Sequence, residues 1–386
     1  MGEYNKFKNF LLVNWKDGFM VDKTHFEQLE NYFINQDCEY RKSDLTRISY
    51  GLLPFRKEES MSGDFEIRDL ITGVLEVRLK RCHAITPGGL LIDFNPAEDD
   101  ELTATFPVPD DENLDSAKQR WDVILTVDPF ERIPCGVPDE NEVIPRHPNA
   151  KPKYVLNILP AGQINAKNLE RYHLIIGRVR RNGDRFEVDG NFIPPCTSVS
   201  SHPELKNYYL KFGKYIDLIE KACKAIISKV ENMEKRTPLA ENIEMICRNV
   251  IMYIANIYFS YRNEGQYYTP LRFLNVFSVL AHTCYVSLDF MHKNDKEEMM
   301  KYFYEWSDIK PGEFDAILKQ NAGLLYDHED IRHLMVTVEQ FMYLFSQLLT
   351  TLSSLEYIGK HKENLVIAER SKSQSENKTE KWSLLD

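Results

Sequence analysis

No Cys-x-x-Cys pair occurs in this 386-residue sequence, and its seven cysteines stand singly along the chain. An odd number of isolated cysteines provides neither a disulfide framework nor a zinc ribbon. Cytoplasmic proteins keep such thiols reduced, and a free cysteine usually packs as a small buried hydrophobe. The cysteine pattern therefore predicts reduced, mostly buried thiols in a cytoplasm.

The motifs of common nucleotide-binding and hydrolytic enzymes are also missing. The sequence has no Gly-x-Gly-x-x-Gly, no Gly-x-x-x-x-Gly-Lys-Ser/Thr and no Gly-x-Ser-x-Gly. Those motifs build phosphate-binding loops and the nucleophile elbow of hydrolases. On residue chemistry alone, the sequence predicts a non-enzymatic protein without a cofactor or a metal ion.

Three weaker patterns do not change that prediction. His328 and His333 are five residues apart, whereas a zinc-binding helix needs histidines four apart. Cys82 and His83 are neighbours on a predicted strand and so face opposite sides. The acidic run between residues 98 and 115 lacks the alternation and central glycine of a calcium loop. A solvated helix start and a solvated loop are the better interpretations.

Long uncharged apolar runs are absent. The stretches 250–259 and 271–290 are interrupted by polar and charged residues, whereas a bilayer-spanning helix needs about 20 predominantly apolar residues. The apolar patch 10–13 is soon followed by charged residues and does not resemble a signal peptide. We therefore expect no direct membrane insertion.

Excess positive charge is missing as well. The formal net charge is −11, from 48 Lys and Arg against 59 Asp and Glu. Nucleic-acid-binding surfaces are usually basic, so no nucleic acid partner is expected. The remaining composition, with 43% hydrophobic and 28% charged residues, is that of a globular protein of two or three domains.

The first half of the chain reads as β structure. Apolar and charged residues alternate over 75–80, which is the period of a half-buried strand. Asn182-Gly183 lies between two such runs and signals a hairpin, because both residues tolerate positive φ. One helix is predicted over 22–33. Strands are predicted over 62–68, 73–81, 89–93, 121–127, 154–159, 173–180 and 185–188.

After a Pro- and Ser-rich segment at 192–203, apolar residues recur at spacings of three and four. Helices are predicted over 205–230, 239–261, 269–291, 296–306, 311–320 and 329–358. The fold class is therefore α+β and multidomain: an antiparallel β-sandwich over 1–200, an α-helical bundle over 201–359 and a disordered polar tail over 360–386.

The predicted helix 239–261 has apolar residues on more than one face, notably over 250–261. Such a helix must be covered on all sides, and a second protomer in a cyclic assembly would cover it. The alternative is that the shorter helices 296–306 and 311–320 cover the excess within one chain.

Residues 14–26 contain a Trp, an acidic residue and a Gly, then an apolar pair and a His-Phe about seven residues on. The residues in that order are Trp15, Asp17, Gly18, His25 and Phe26. This segment resembles the opening of the TssK family, the baseplate subunits of bacterial type VI secretion systems. The chain departs from the family at residue 27, where Glu stands in place of the usual Gln.

The segment Tyr50-Gly51-Leu52 and two later segments extend the resemblance over most of residues 10–350, in the same order along the chain. One is a turn that reads Pro-Gly-Gly where the family has Pro-Asp-Gly; the other lies where the family closes its β domain and enters its helical bundle. The matched residues are Pro87, Gly88 and Gly89 in the first, and Phe192, Pro194 and Pro195 in the second.

The resemblance implies a homotrimer whose β-sandwich, similar to the shoulder of phage receptor-binding proteins, docks on the TssF–TssG wedge. A C-terminal head normally reaches the membrane complex. Because only a short polar segment follows the last predicted helix, we expect a shortened variant lacking most of that head, with an envelope anchor of unknown type. The assembled protein would lie in the bacterial cytoplasm at the inner face of the envelope.

The matched aromatic residues and His25 are also expected to have structural roles. Trp15, Phe26 and Phe192 are predicted as core anchors, and they are candidate interface residues by resemblance. His25 is predicted to make a structural hydrogen bond and not to catalyse.

The matched glycines and prolines are expected to shape the backbone. Gly18 and the Gly88-Gly89 pair suit turns that need positive φ. Pro194 and Pro195 are expected to stiffen the joint between the two halves.

Two other functions stay open. The first is a phage or phage-like tail adaptor or receptor-binding protein on the same shoulder fold; neighbouring genes for sheath, tube and a TssF/TssG pair would separate the two. The second is an enzyme with an unrecognised site in the acidic first half, which a bound metal or a deep polar pocket with strongly shifted carboxylates would indicate.

Overall fold

The computed structural model describes residues 10–55, 61–70, 74–95, 101–107, 119–139, 143–162, 171–183, 185–307 and 309–362. The chain divides into two compact units. The first unit is the chain up to Leu205 together with Asp327–Arg332, and the second is Lys206–Tyr326 together with the chain from His333. The sequence pattern does not predict that Asp327–Arg332, far along the chain, belongs to the first unit.

The described part of the first unit contains one long helix and nine strands. They are α1 (Lys23–Asp44), β1 (Gly51–Leu52), β2 (Gly63–Leu70), β3 (Val74–Ile85), β4 (Leu91–Phe94), β5 (Leu102–Pro107), β6 (Arg120–Cys135), β7 (Asn149–Pro160), β8 (His173–Asn182) and β9 (Arg185–Val188). Seven strands and the helix match predicted segments, whereas β1 and β5 are additional.

The strands form two antiparallel sheets. In the first, β3 is central: β1 and β2 pair with it in the order β1-β3-β2, and β4 and β5 also pair with it. The second has the order β7-β6-β8-β9. The predicted hairpin joins β8 to β9, with Asn182 opposite Arg185 and Gly183 at φ +64°.

Side chains alternate across these sheets as the period-2 pattern predicts. In β3, Leu75, Val77 and Leu79 are fully buried, and the charged residues between them are more exposed. The two sheets also pack on each other, because a Cβ at Gly177 in β8 would lie 2.2 Å from the ring of Phe65 in β2. The predicted antiparallel β-sandwich is therefore confirmed.

The second unit is helical. Its helices are α2 (Pro203–Glu231), whose first residues belong to the first unit, α3 (Pro238–Glu264), α4 (Pro270–Asp289), α5 (Lys293–Ser307), α6 (Pro311–Ala322) and α7 (Ile331–Ser354). Thr237 caps α3 by accepting from Ala240 N at 3.2 Å, and a proline follows each threonine cap of α3 and α4. The predicted α-helical half is confirmed.

Among the described helices, α4 has the length and composition to cross a membrane, with a mean hydropathy of 1.3 over 18 residues. The prediction that the stretch 271–290 is too interrupted to span a bilayer is therefore wrong by length and composition. Half of that window is buried within the protein. Phe273 and Phe277 of α4 pack against Phe212 of α2, with ring centroids 5.7 and 4.8 Å apart. These contacts favour a core helix.

All seven cysteines are free, and six of them are buried. This agrees with the prediction of reduced, mostly buried thiols. The predicted disordered tail lies outside the described residues, except for residues 360–362, and so does most of the acidic run between 98 and 115.

Candidate protein-docking surface

The segment before α1 and the first turn of α1 present apolar side chains to solvent. Trp15 is 50% exposed and Phe26 is 57% exposed; Phe19, Met20 and Val21 between them are also exposed. The prediction that Trp15 and Phe26 are core anchors is therefore wrong. Single exposed apolar residues are common, but a contiguous group of them marks an interaction site.

A capping box fixes how this segment enters α1. The N-cap Asp22 accepts from Thr24 N at 2.8 Å, and His25 Nδ1 accepts from Asp22 N at 3.2 Å. The Thr24 hydroxyl also donates to this carboxylate and holds the pKa of Asp22 below its ordinary value. The predicted structural hydrogen bond of His25 is thus confirmed.

Aromatic rings cover the same helix start. The ring of Phe19 lies edge-on to Trp15 at 5.8 Å and to His25 at 4.5 Å. Gly18 allows the preceding turn, because its φ of +79° lies in the left-handed region. Asp17 is exposed beside it. The N-terminal motif therefore forms one surface around the start of α1.

Further aromatic residues follow along the outer side of α1. Phe26, Phe33 and Tyr40 lie seven residues apart and are 57%, 59% and 73% exposed. Residues at that spacing share one face of a helix. We call these three residues the α1 stripe. Phe33 and Tyr40 are not among the predicted site residues. Their spacing from Phe26 indicates a shared helix face only once the helix is known to continue to Asp44.

A groove of about 990 Å³ lies between the first half of α1 and the ends of β6 and β7. Phe26 lines it from α1 and Phe130 lines it from β6. Arg132 of β6 joins the two walls, because it pairs with Glu30 and donates to Asn31 Oδ1 at 2.7 Å. A groove beside exposed aromatic rings suits the side chains that a partner protein inserts.

The hairpin of β6 and β7 extends this surface beyond the predicted strands. Its ladder shifts register between Asp128 and Arg132 and then continues to Cys135 opposite Asn149. Past that point, Val137 and Ile144 are almost fully exposed. Sequence reasoning missed this apolar tip, although the Val-Ile pair at 143–144 in a polar loop is the signal that could have indicated it.

The Pro87–Gly89 turn packs against the second half of α1. A Cβ at Gly89, whose φ is +85°, would lie 2.8 Å from the carbonyl oxygen of Cys38 in α1. Gly88 donates to Arg171 O at 2.9 Å, and Arg171 in turn pairs with Glu39 of α1. Positive φ is found at Gly18 and Gly89 but not at Gly88, where close backbone approach requires glycine instead.

We expect Gly89→Ala to lower the free energy of unfolding by about 2 kcal/mol and to loosen α1, because the new Cβ meets Cys38 O in a conformation that L-residues rarely adopt. Amide hydrogen exchange along α1 measures this. The matched control is Gly162→Ala, since Gly162 has φ +82° with nothing within 4 Å. Equal exchange in α1 for both variants would contradict the close contact.

Phe192, Pro194 and Pro195 lie elsewhere, in the interior of the first unit. Phe192 is buried, as predicted, and Arg178 stacks over its ring at 4.2 Å. The carbonyl of Pro195 accepts from Leu52 N at 2.8 Å. The described contacts therefore join the N-terminal motif and the Pro87–Gly89 turn through α1, whereas the third motif has a structural place. That its prolines stiffen the joint stays a prediction.

The weak catalytic patterns do not assemble into a site. His328 is buried, with Nε2 2.9 Å from Tyr50 O, and burial lowers its pKa. Burial raises the pKa of Cys82 to about 12, which leaves its thiol unreactive at neutral pH. Within the described ranges, no three His, Cys, Asp or Glu residues are grouped to hold a metal ion.

No protein-family model and no curated protein matches the chain. Among solved structures, a crystal structure of TssK matches with a TM-score of 0.51 and 15% identity, over 90% of this chain and 71% of that one. TssK from the EAEC T6SS, in complex with a nanobody, gives 0.47 and 16% over 86% and 100%. The baseplate complex from the type VI secretion system gives 0.49 and 16% over 73% and 90%.

Proposed function

Since this chain has the fold of TssK, we propose that it is a structural baseplate subunit of a bacterial type VI secretion system. The observation that carries the proposal is that the likeness extends over nearly the whole chain and so includes both units. The order of the TssK-like motifs along the sequence supports it independently.

In this role the first unit binds the TssF–TssG wedge. The binding surface consists of the start of α1, the α1 stripe and the neighbouring groove. Aromatic residues are enriched in protein interfaces, and a few of them usually carry most of the binding energy. Trp15 and Phe26, which belong to the N-terminal motif, are both exposed there.

The role is mechanical and not catalytic. What supports this is that the groove residue Arg132 is already engaged by Glu30 and Asn31, both on α1. Its charge therefore holds α1 in place and is not available to polarise a substrate.

The same role implies a homotrimer that links the wedge to an envelope anchor at the cytoplasmic face of the membrane. The apolar residues on more than one face of α3 support a covering protomer. The link to an anchor is carried over from the TssK resemblance, and the expected lack of most of the head leaves the type of anchor open.

We expect the double substitution Phe26→Ser and Phe33→Ser to abolish binding to the wedge. Truncating one central aromatic residue of an interface costs about 2 kcal/mol or more, which is roughly a 30-fold loss of affinity. The full chain is co-expressed with tagged TssF and TssG, and the co-purified amount is measured. Both side chains are exposed, so the melting temperature is expected to stay unchanged.

The matched control is Phe290→Ser, an exposed phenylalanine at the C-cap of α4 in the second unit. It is expected to keep full binding. Retention of the wedge by the double variant would refute this docking surface, and failure of the unmodified chain to bind it would refute the baseplate role.

A further inference from the structure

Helix α3 carries a seven-residue repeat on its solvent side. Met245, Met252 and Phe259 lie seven residues apart and are exposed, Met252 at 64% and Phe259 at 75%. Asparagines repeat with the same spacing, three residues before each of them and again after the last. The four asparagines are Asn242, Asn249, Asn256 and Asn263. We call these seven residues the α3 seam.

The spacing of the α3 seam is that of positions a and d in a coiled coil. With asparagine at a, the methionines and the phenylalanine fall at d. A strict seven-residue repeat drifts about 20° per heptad around a straight helix, so two such helices stay in contact by winding around each other. An isolated surface helix has no need for this regularity, because only its inward side must be apolar.

The neighbouring helices contact the edges of this side of α3 and leave its centre exposed. On one flank, Tyr253 donates to Val276 O of α4 at 2.5 Å, and the seam residue Asn249, itself exposed, donates to Ser287 Oγ of α4 at 3.0 Å. On the other flank, the ring of Tyr261 stacks on Tyr209 of α2 at 5.1 Å. The inward residues of α3, such as Val250, are buried. The α3 seam thus faces outward between α2 and α4.

We propose that the α3 seam is a homotypic interface, on which α3 of further copies of this chain packs in parallel around a cyclic axis. The proposal rests on the homotrimer of the proposed function and assigns its contact residues. In a parallel arrangement each seam asparagine meets its own counterpart, and side-chain amides both donate and accept. Asn249 and Asn263 already donate to Ser287 and to Phe259 O, so they meet through their second N–H and their Oδ1. Asparagine at position a is known to fix register in this way, at a cost in stability.

Cyclic symmetry fixes the parallel direction. Copies related by rotation about one axis run the same way along it, so their α3 helices pack in parallel. In a parallel pair position g faces position e, so Arg248, which already pairs with Glu244 and Glu231, faces Tyr253 of the next copy. No like charges meet in this arrangement.

A groove of about 320 Å³ borders the seam on the α2 side. Gly213 opens it, because a Cβ there would already reach Tyr261 at 3.5 Å. Tyr209, Tyr258 and Arg262 line the rest. This space accommodates side chains of the next copy beside Phe259.

The test is thiol crosslinking of the full chain carrying Met252→Cys. Cys135, the one cysteine that is not buried, is first replaced by serine. A short bismaleimide is expected to give covalent dimers, because residue 252 of each copy meets its counterpart across the axis and a single reactive cysteine per chain allows one link between two of the three copies. Tyr304→Cys, about half exposed on α5, is the matched control and is expected to stay uncrosslinked.

A second variant makes the result independent of crosslinking chemistry. Met252→Glu places like charges in the seam and is expected to reduce the mass in light scattering from three chains to one, with an unchanged circular dichroism spectrum. Tyr304→Glu is expected to stay trimeric. A trimer that does not crosslink at 252 and survives Met252→Glu overturns the α3 seam and leaves the baseplate role standing. A monomeric unmodified chain overturns the seam and the trimer together.

Discussion

Gly51→Ala is expected to lower the free energy of unfolding by about 4 kcal/mol, which for a domain of this kind is a large part of its stability. Gly51 has φ +115°, and a Cβ there would lie 2.0 Å from the carbonyl oxygen of Pro195. The substitution therefore combines a strained backbone with a clash against another backbone, which cannot rotate away as a side chain would.

The clash falls where β1 meets the segment that leaves the β-sandwich. Leu52 N donates to Pro195 O at 2.8 Å, and Thr197 N donates to Leu52 O at 2.9 Å. Moving β1 away from this segment to accommodate a methyl group would break both hydrogen bonds. The backbone N–H and C=O groups involved would then be buried without a hydrogen-bond partner, which costs more free energy than the hydrogen bond itself contributes.

Urea unfolding of the variant measures the effect. Gly183→Ala is the matched control, since Gly183 has φ +64° with nothing within 4 Å, and it is expected to cost about 1 kcal/mol. If the two variants lose the same stability, the close approach of β1 to Pro195 is not what requires glycine at 51.

Acid is expected to destabilise the chain by about 3 kcal/mol through His202 alone. Burial lowers the pKa of His202 from 6.5 to about 4. Between these values the unfolded chain binds a proton that the folded chain does not bind. The contribution of His202 is therefore fully present above pH 6.5 and is lost progressively as the pH falls to about 4.

The surroundings of His202 explain why the neutral ring is required. Its Nδ1 accepts from Glu204 N at 3.2 Å, so protonation at Nδ1 would remove this hydrogen bond. The carboxylate of Glu204 acts against burial, because its negative charge raises the pKa of His202, but it pairs with Arg332 at 2.7 Å, and the positive charge of Arg332 lowers that pKa. Burial is the largest of these effects and sets the direction of the shift.

The measurement is the free energy of unfolding at pH 7 and pH 4.5 for the unmodified chain and for His202→Asn. The asparagine keeps an acceptor near Nδ1 but does not titrate, so the variant is expected to lose less stability on acidification. His147→Asn, on the exposed β6–β7 hairpin, is the control and is expected to behave like the unmodified chain. Equal losses in all three chains would show that His202 is not the acid-sensitive group.

Periodicity predicts most of the helices and strands here, and the exceptions have physical reasons. The predicted helix 22–33 continues to Asp44 although residues 36–44 are mostly polar, because contacts made by Arg171 and the Pro87–Gly89 turn hold that half of α1. Strand β5 is not buried at any position, and its sequence Leu-Thr-Ala-Thr-Phe-Pro contains few large apolar residues. The apolar pattern that predicts a strand is therefore weak there. Strand β6 continues beyond residue 127 through a register shift that looks like a loop in the sequence.

The candidate site is less predictable than the fold. Trp15 and Phe26 are identified from motif order, but assigning them to the core follows the rule that apolar residues lie inside, which fails at interfaces. The α1 stripe depends on the length of α1, and that length is set by tertiary contacts. By contrast, the turn at Gly18 and the bond of His25 follow from local chemistry and are predicted.

The six residues Asp327–Arg332, which return to the first unit, have a consequence for how this chain is made. His328 bonds to Tyr50 and Arg332 bonds to Glu204, so the first unit lacks both contacts while synthesis proceeds from Leu205 to Arg332. At 5–20 residues per second, a nascent chain waits roughly 6 to 25 s for them. During that interval the described strands of the first unit are all synthesised but these two contacts are missing, which makes this stretch of translation the period when a chaperone has most to protect.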